Sequence, residues 1–459
     1  MKPKILAVLV SVVLPWSATG AAGERTAAVV APGLRHLVIS KGEAAASKRY
    51  RILIGRFESQ TDADRLLERL QENQFTAFPI SLGDDYYIVT AGLPHRTDAE
   101  ALKQRLVEYG FSPPLEIQEI SDDLTHADGP WRIHVLEADP KKVDVRVAHA
   151  YDAAIGLETT VDLAVRHGAL AAINGGYFFM KGLLAGDSRG ALEIGDQLLS
   201  EPDRGRASVG FYFPDGITKA VFGRLGFKGE IRLASGEPIP LDGINRKRGL
   251  SEIVLYTPDF HRTTLTPSDG AEIVIEKSQI TAIREKSGST LIPSDGVVLS
   301  IDPERVAAHL PRLQRGERVS VETKLIPLLP DPEGEWERTR HIVSGGPLLL
   351  WNGQRLEEPE VESISRVFFL ARHPRTAVGV RPDGGLLFVT VDGRRPKESV
   401  GMSVPELTDL MLELGCVSAI NLDGGGSTTM VIGGEVVNRP SGGSPRPNAD
   451  AVLLFPRNP

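Results

Sequence analysis

Between Gly385 and Gly426 the chain reads strand, helix, strand, and that order constrains the fold more than any other stretch. GLLFVTVDGR is an apolar run that ends at Asp392. SVPELTDLMLELG then opens on Ser403 as a helix N-cap, with Glu406 three residues on in capping-box position. It carries Leu407, Leu410, Met411 and Leu414 on one face and stops at Gly415. CVSAINLDGGG supplies a second apolar strand, ending at Asp423. A crossover of this kind is right-handed and sets its two strands parallel. Asp392 and Asp423 are therefore expected past the carboxyl ends of their strands, on one sheet edge, where open α/β sheets hold ligands. With the strands adjacent or next-but-one, those ends lie roughly 5–10 Å apart. Two carboxylates at such separations hydrolyse glycosides, by retention or by inversion.

Other segments converge on the same edge. TAVGVRPDGGLLFVTV reads as a hairpin turning at Pro382-Asp383-Gly384, so Arg375 and Thr376 start a strand whose partner ends near Asp392. LAVRHGALAAINGGYFF echoes LMLELGCVSAINLDGGG, with Gly168, Ala172, Ile173 and Asn174 falling on Gly415, Ala419, Ile420 and Asn421. Both corners end in asparagine followed by glycine, either as αL turns or as two loops facing one pocket. Glycine runs leave main-chain N–H donors bare, and with a guanidinium they suit a phosphate or a hydroxyl-rich sugar. NLDGGGSTTM lacks the lysine of a Walker A loop, and the strand-like MVIGGEVV after it fails a dinucleotide fingerprint. No HExxH, Cys/His cluster or Gly-x-Ser-x-Gly elbow occurs.

A formal net charge of -8 removes the basic face that nucleic acid requires. MKPK followed by ILAVLVSVVLPW and SATGAAG has the layout of a secretory signal over residues 1–22, too short for an ordinary membrane span. After cleavage no span remains, and a periplasmic or secreted protein of the cell envelope is expected. The lone cysteine, Cys416, excludes an intrachain disulfide. Residues 23–47 read as a linker.

An internal repeat follows. YRILIGRFESQTDADRLLERLQENQF aligns with YIVTAGLPHRTDAEALKQRLVEYGF, bringing Gly55 onto Gly92 and Phe75 onto Phe111. Each copy reads strand, loop, helix, strand, with Thr61 and Thr97 as N-caps and Asp64 and Glu100 three residues on. Two copies make a βαββαβ sandwich with one open sheet face. Residues 48–120 resemble a SPOR domain, which implies a ferredoxin-like sandwich that binds peptidoglycan glycan strands. The resemblance assigns that contact to Arg51, Tyr86, Ile88 and Thr90. The family usually has polar residues two before each glycine, whereas Leu53 and Thr90 stand there. SDDLTHADGP, residues 121–130, reads as a boundary, and 131–459 as one large domain. The fold class expected is thus α+β: a small sandwich, then a mixed α/β catalytic domain whose βαβ unit carries the site loops.

AAINGGYF, VSGGPLLL, RHPRTAVGV, VDGRRP, NLDGGGSTTMV and VVNRPSGG occur in order across that second domain. Together they resemble the phosphodiester glycosidase family, which includes N-acetylglucosamine-1-phosphodiester α-N-acetylglucosaminidase. The resemblance implies hydrolysis between a sugar anomeric carbon and a phosphodiester oxygen; no cofactor is expected, and a divalent cation such as Ca²⁺ stays open. The resemblance makes Asp423, Asp392 and Arg375 catalytic. Substrate binding falls to Asn174, Gly175, Gly176, Gly345, Gly346, Thr376, Arg394, Asn421, Gly424, Gly425, Gly426 and Ser427. In that reading the two aspartates work at the anomeric centre, Arg375, Thr376 and the main chain of 424–427 hold phosphate, and the asparagines fix sugar hydroxyls. Two rivals are a non-catalytic envelope protein that holds glycan and a phosphodiesterase in which Asp392 and Asp423 bind a divalent cation such as Ca²⁺.

Overall fold

The computed structural model describes residues 12–15, 23–44, 48–82, 85–112, 114–121, 123–125, 128–152, 155–234, 236, 238–356 and 358–457. Most of the expected leader lies outside them. Within it, Val12–Pro15 pairs as a strand with Gly23–Ala31.

The larger part of the chain is layered helix, sheet, sheet, helix. One sheet has nine strands and runs, from one edge, through 34–41, 131–138, 386–391, 375–380, 418–421 and 348–351. Five strands form the second, with 430–432, 171–174, 450–456 and 143–149 in that order. Strand alternation builds the layers. Leu136, Val378, Phe388 and Ile420 point inward against Val145, Val147, Ile173, Val452 and Leu454 of the other sheet. Val135, Ala377, Leu387, Val389 and Ala419 point outward under Leu407, Leu410 and Met411 of the helix Val404–Glu413. On the far side, Leu163 and Ala164 of the helix Thr160–His167 cover Ala172, Val431 and Leu453. The middle of the chain adds a seven-stranded sheet and a further five-stranded sheet around Ile231, Leu255, Ile273 and Leu299.

The βαβ unit forms as its pattern dictates. Ser403 caps the helix in a full capping box with Glu406. The strand 375–380 lies between 386–391 and 418–421, antiparallel to both, so the outer two are parallel and next-but-one. Arg375 pairs with Val391, which sets Arg375-Thr376 beside Asp392.

Three expectations need correction. Of the expected linker 23–47, residues 23–41 are structured, because Gly23–Ala31 and Leu34–Lys41 form a hairpin that extends the nine-stranded sheet from 131–138, while 45–47 lie outside the described residues. The run is alanine-rich and weakly β-forming by itself; pairing to that edge and burial of Leu34, Leu37 and Ile39 supply the stability. The N-terminal unit has the expected element order and an antiparallel sheet in the order 78–82, 85–89, 49–57, 116–120. Its helices, however, are Gln60–Glu72 and Arg96–Glu108, begun by Ser59 and His95, not Thr61 and Thr97. Neither residue makes a capping bond, and Asp64 instead accepts from Val367 N at 2.7 Å.

The third concerns the open sheet face. A register shift between Leu53 and Gly55 breaks the parity of the repeat. Leu53, Ile80 and Val89 occupy the face away from the helices, while Ile88 is fully buried beneath the helices with Ile52 and Leu67. Tyr86 packs on that same helix side, and Thr90 is buried, accepting from Ile52 N at 2.9 Å. Arg51 alone of the four shares the open face, donating to Gln118 at 3.1 Å.

Candidate active site

At one end of the layered domain the corners after 171–174, 341–344 and 418–421 are laced together. Asn174 donates to Asp423 O at 2.8 Å and accepts from Thr376 Oγ1 at 2.7 Å and from Thr429 N at 3.1 Å. Asn421 donates to Gly346 O at 2.7 Å and to Tyr177 Oη at 3.0 Å, and Tyr177 itself donates to Gly346 O at 2.8 Å. Gly345 must be glycine because a Cβ there would strike Asn421 O. The Asn-Gly echo is therefore a real convergence of two sheets, but the asparagine amides brace loops and are fully buried. Thr376 is equally buried. The hydrogen bonds of all three run within the chain, where they tie the site's loops to the sheet ends.

The glycines of 424–426 also differ from expectation. Gly424 N donates to Asp423 Oδ1 at 2.8 Å, Gly425 N to Pro374 O at 2.8 Å, and Ser427 N to Gly424 O at 3.1 Å. Those three donors are taken up within the chain; Gly426 N is not among them. What the glycines provide is close approach: a Cβ on Gly424 would lie 2.7 Å from Pro374 O, and one on Gly426 would collide with the Arg446 guanidinium.

Arg375 is almost fully buried. Its Nε donates to Met402 O at 2.8 Å and Nη2 to Phe368 O at 3.0 Å and Ala371 O at 2.8 Å, while its guanidinium stacks 4.7 Å from the Phe368 ring. Burial pulls its pKa down to about 10. The Nη2 bonds hold the segment 368–371 in place, and among the described residues Nη1 has no hydrogen-bond partner. Arg394 lies against Gly425 with Nη2 3.3 Å from His373 Nδ1, and faces a crevice lined by Phe78 and Ile80.

The two aspartates part company. Asp392 shares the sheet edge, yet its Oδ1 accepts from Arg439 N at 2.9 Å and Asn438 at 3.1 Å. Its Oδ2 faces His134 Nε2 at 3.9 Å. Asp423 lines a cavity of about 340 Å³ with Tyr177, Phe178, Arg189, Arg206, Phe368 and Arg446. Burial raises the Asp423 pKa to about 6, against hydrogen bonds from Ser427 and Gly424 and the charge of Arg446. The pairing of two carboxylates at one centre, and with it a cation shared by Asp392 and Asp423, is not supported by these surroundings. Among the described residues no group of three or more His, Cys, Asp or Glu is arranged to hold a metal ion.

Arg189, Arg206 and Arg446 were not singled out from the sequence. Each sits in a connection between strands, DSRG, DRGR and SPRP, and their shared position depends on long-range packing. Asp203 pairs with Arg189 at 3.4 Å and Arg206 at 3.7 Å, and Arg206 stacks 5.3 Å from the Tyr177 ring. Arg446 Nη1 meets Met180 Sδ at 3.6 Å. The pocket thus joins one carboxylate of raised pKa, three guanidinium groups and aromatic walls, a surface for an anionic sugar.

Comparison with known proteins finds two family matches. Residues 269–455 match the phosphodiester glycosidase family model, and residues 46–118 match that of the SPOR domain. N-acetylglucosamine-1-phosphodiester alpha-N-acetylglucosaminidase of Bos taurus is 40% identical over 85 residues, 18% of this chain and 16% of that protein. The SPbeta prophage-derived uncharacterized protein YomE of Bacillus subtilis is 40% identical over 83 residues, 18% of this chain and 13% of its own. The chain therefore spans only about a fifth or less of the curated relatives it matches. For the fold, a protein of Burkholderia pseudomallei described as exported aligns with TM-score 0.72 at 24% identity, over 98% of this chain and 99% of that one. A hypothetical protein from Synechocystis aligns with TM-score 0.63 at 20% identity, over 99% and 82%. The glycosidase match contains Asp423 and Arg446, whereas Tyr177, Arg189 and Arg206 precede it and join the site only in three dimensions.

Proposed function

We propose that this chain is an exported glycosidase that cleaves between a sugar anomeric carbon and a phosphodiester oxygen. The observation that carries the reading is the meeting of Asp423 with Arg189, Arg206 and Arg446 in one pocket. The guanidinium groups hold the phosphate, and Tyr177, Phe178 and Phe368 flank the sugar. Ionised Asp423 acts on the sugar side, by attacking the anomeric carbon or by taking a proton from the water that attacks. The anomeric C–O bond breaks and its electron pair leaves on phosphate oxygen. Phosphate is a weak base, so arginine charge replaces most of what a general acid does for an ordinary glycoside. The name of the mammalian relatives fits this reading. The N-terminal unit is read as a ferredoxin-like SPOR sandwich that holds the enzyme at peptidoglycan.

The test is to incubate the protein with the methyl phosphodiester of α-N-acetylglucosamine 1-phosphate and identify the products. Free reducing sugar plus methyl phosphate is expected, and Asp423→Asn should lower turnover by at least about 10²-fold. Intact sugar phosphate plus methanol would make it a phosphodiesterase, and no turnover would leave a glycan-holding protein. Retention of anomeric configuration marks Asp423 as nucleophile, inversion as base. Sedimentation with purified peptidoglycan measures the wall attachment, which removal of residues 48–120 should abolish.

A further inference from the structure

The wall of the Asp423 pocket is not made by the glycosidase domain alone. Gln60, the first residue of the helix Gln60–Glu72 in the SPOR domain, lines it together with Ser363 and Ser365. The Gln60 amide nitrogen donates to Ser365 Oγ. The same oxygen accepts from Phe368 N at 3.1 Å, as N-cap of the short helix Arg366–Leu370. A hydroxyl has two acceptor positions and one proton. Both acceptor positions of Ser365 are filled, so its O–H remains to donate. No protein donor reaches Gln60 Oε1 among the described residues, which leaves that oxygen to accept. One acceptor and one donor thus stand side by side on a pocket wall, the complement of a sugar hydroxyl and its neighbouring oxygen.

This wall is anchored from both domains. Val367 is buried within the SPOR core with Ile52, Leu67 and Leu70. Asp64 accepts from Val367 N at 2.7 Å, and Arg366 Nη1 donates to Gln71 Oε1 at 2.8 Å. The next residue, Phe368, faces the Asp423 pocket and meets the Tyr177 ring edge-on at 6.1 Å. One short helix therefore has consecutive residues in the SPOR core and in the pocket wall.

We infer that the SPOR domain supplies part of the substrate site: Gln60 and Ser365 bind a hydroxyl-bearing face of the sugar and help set which sugar is accepted. This rests on the glycosidase reading of the pocket. The test uses the full-length protein and the same methyl phosphodiester. Gln60→Ala should raise KM at least about fivefold with kcat within about twofold, the signature of lost uniform binding. Gln60→Ser, too short to span the contact, should match it. Gln71→Ala, on the same domain interface but outside the pocket, should leave both constants unchanged. An unchanged KM in Gln60→Ala overturns the inference, as does an equal rise in Gln71→Ala, which would mean domain docking rather than contact. Calorimetric binding separates the two claims. If the wild type binds but never hydrolyses the diester and Gln60→Ala weakens binding, the sugar contact stands and the reaction falls. Turnover by the wild type with no Gln60 effect leaves the reaction and removes the contact. A wild type that neither binds nor hydrolyses it ends both.

Discussion

Asp423 and Asp392 begin as the same local word, an aspartate and glycine closing an apolar strand, and end in opposite roles. Only Asp423 reaches the cavity, and its raised pKa gives two consequences. Because the ionised form reacts, kcat/KM should climb with pH to a plateau above about pH 6. Arg446→Ala removes a positive neighbour that favours ionisation, so its acid limb should move to higher pH while KM rises; a rate profile measures both. The second consequence concerns stability. The folded-state pKa stands above the ordinary carboxylate value of 3.8, so folding favours the proton, and stability present below about pH 4 is lost as pH rises through about 6. Asp423→Asn should therefore raise Tm at pH 8 by about 2 °C or more while abolishing turnover. Gly426→Ala tests the loop: its methyl group would displace Arg446, so KM should rise without a large fall in Tm.

Elements were legible where their own residues specify them. The helix Val404–Glu413 carries its cap, its stripe and its stop, and Ser403→Ala should cost about 1 kcal/mol in denaturant unfolding. The hairpin Gly23–Lys41 was not legible, since half of its hydrogen-bonding partners come from the strand Trp131–Ala138. Leu37 packs with Val135 and Leu387 across that junction, so Leu37→Ala should cost roughly 2–5 kcal/mol, although no local pattern marks it as core. In the SPOR repeat the element order was readable, but one register shift turned Ile88 toward the helices, because side-chain direction alternates residue by residue.

At the scale of the whole molecule the two domains share a seam rather than a tether. Leu124 packs on the core of the larger domain, while Gly92 N donates to Thr125 Oγ1 at 3.3 Å, so these two residues of the expected boundary are themselves packed. Val367→Asp would place a charge in the SPOR core at a cost of roughly 3 kcal/mol or more. Calorimetry should then show the N-terminal domain melting ahead of the rest. The sequence by itself determined that two αβ corners and a hairpin deliver their ends to one place, because periodicity, caps and crossover handedness are properties of neighbouring residues. Tertiary structure decided which side chains face the cavity. Asp423 shares a pocket with Arg189, Arg206, Arg446 and Gln60, while Asp392 is claimed by Asn438 and Arg439. Those choices rest on contacts between residues dozens to hundreds apart, whose geometry exists only once both sheets and both domains have packed.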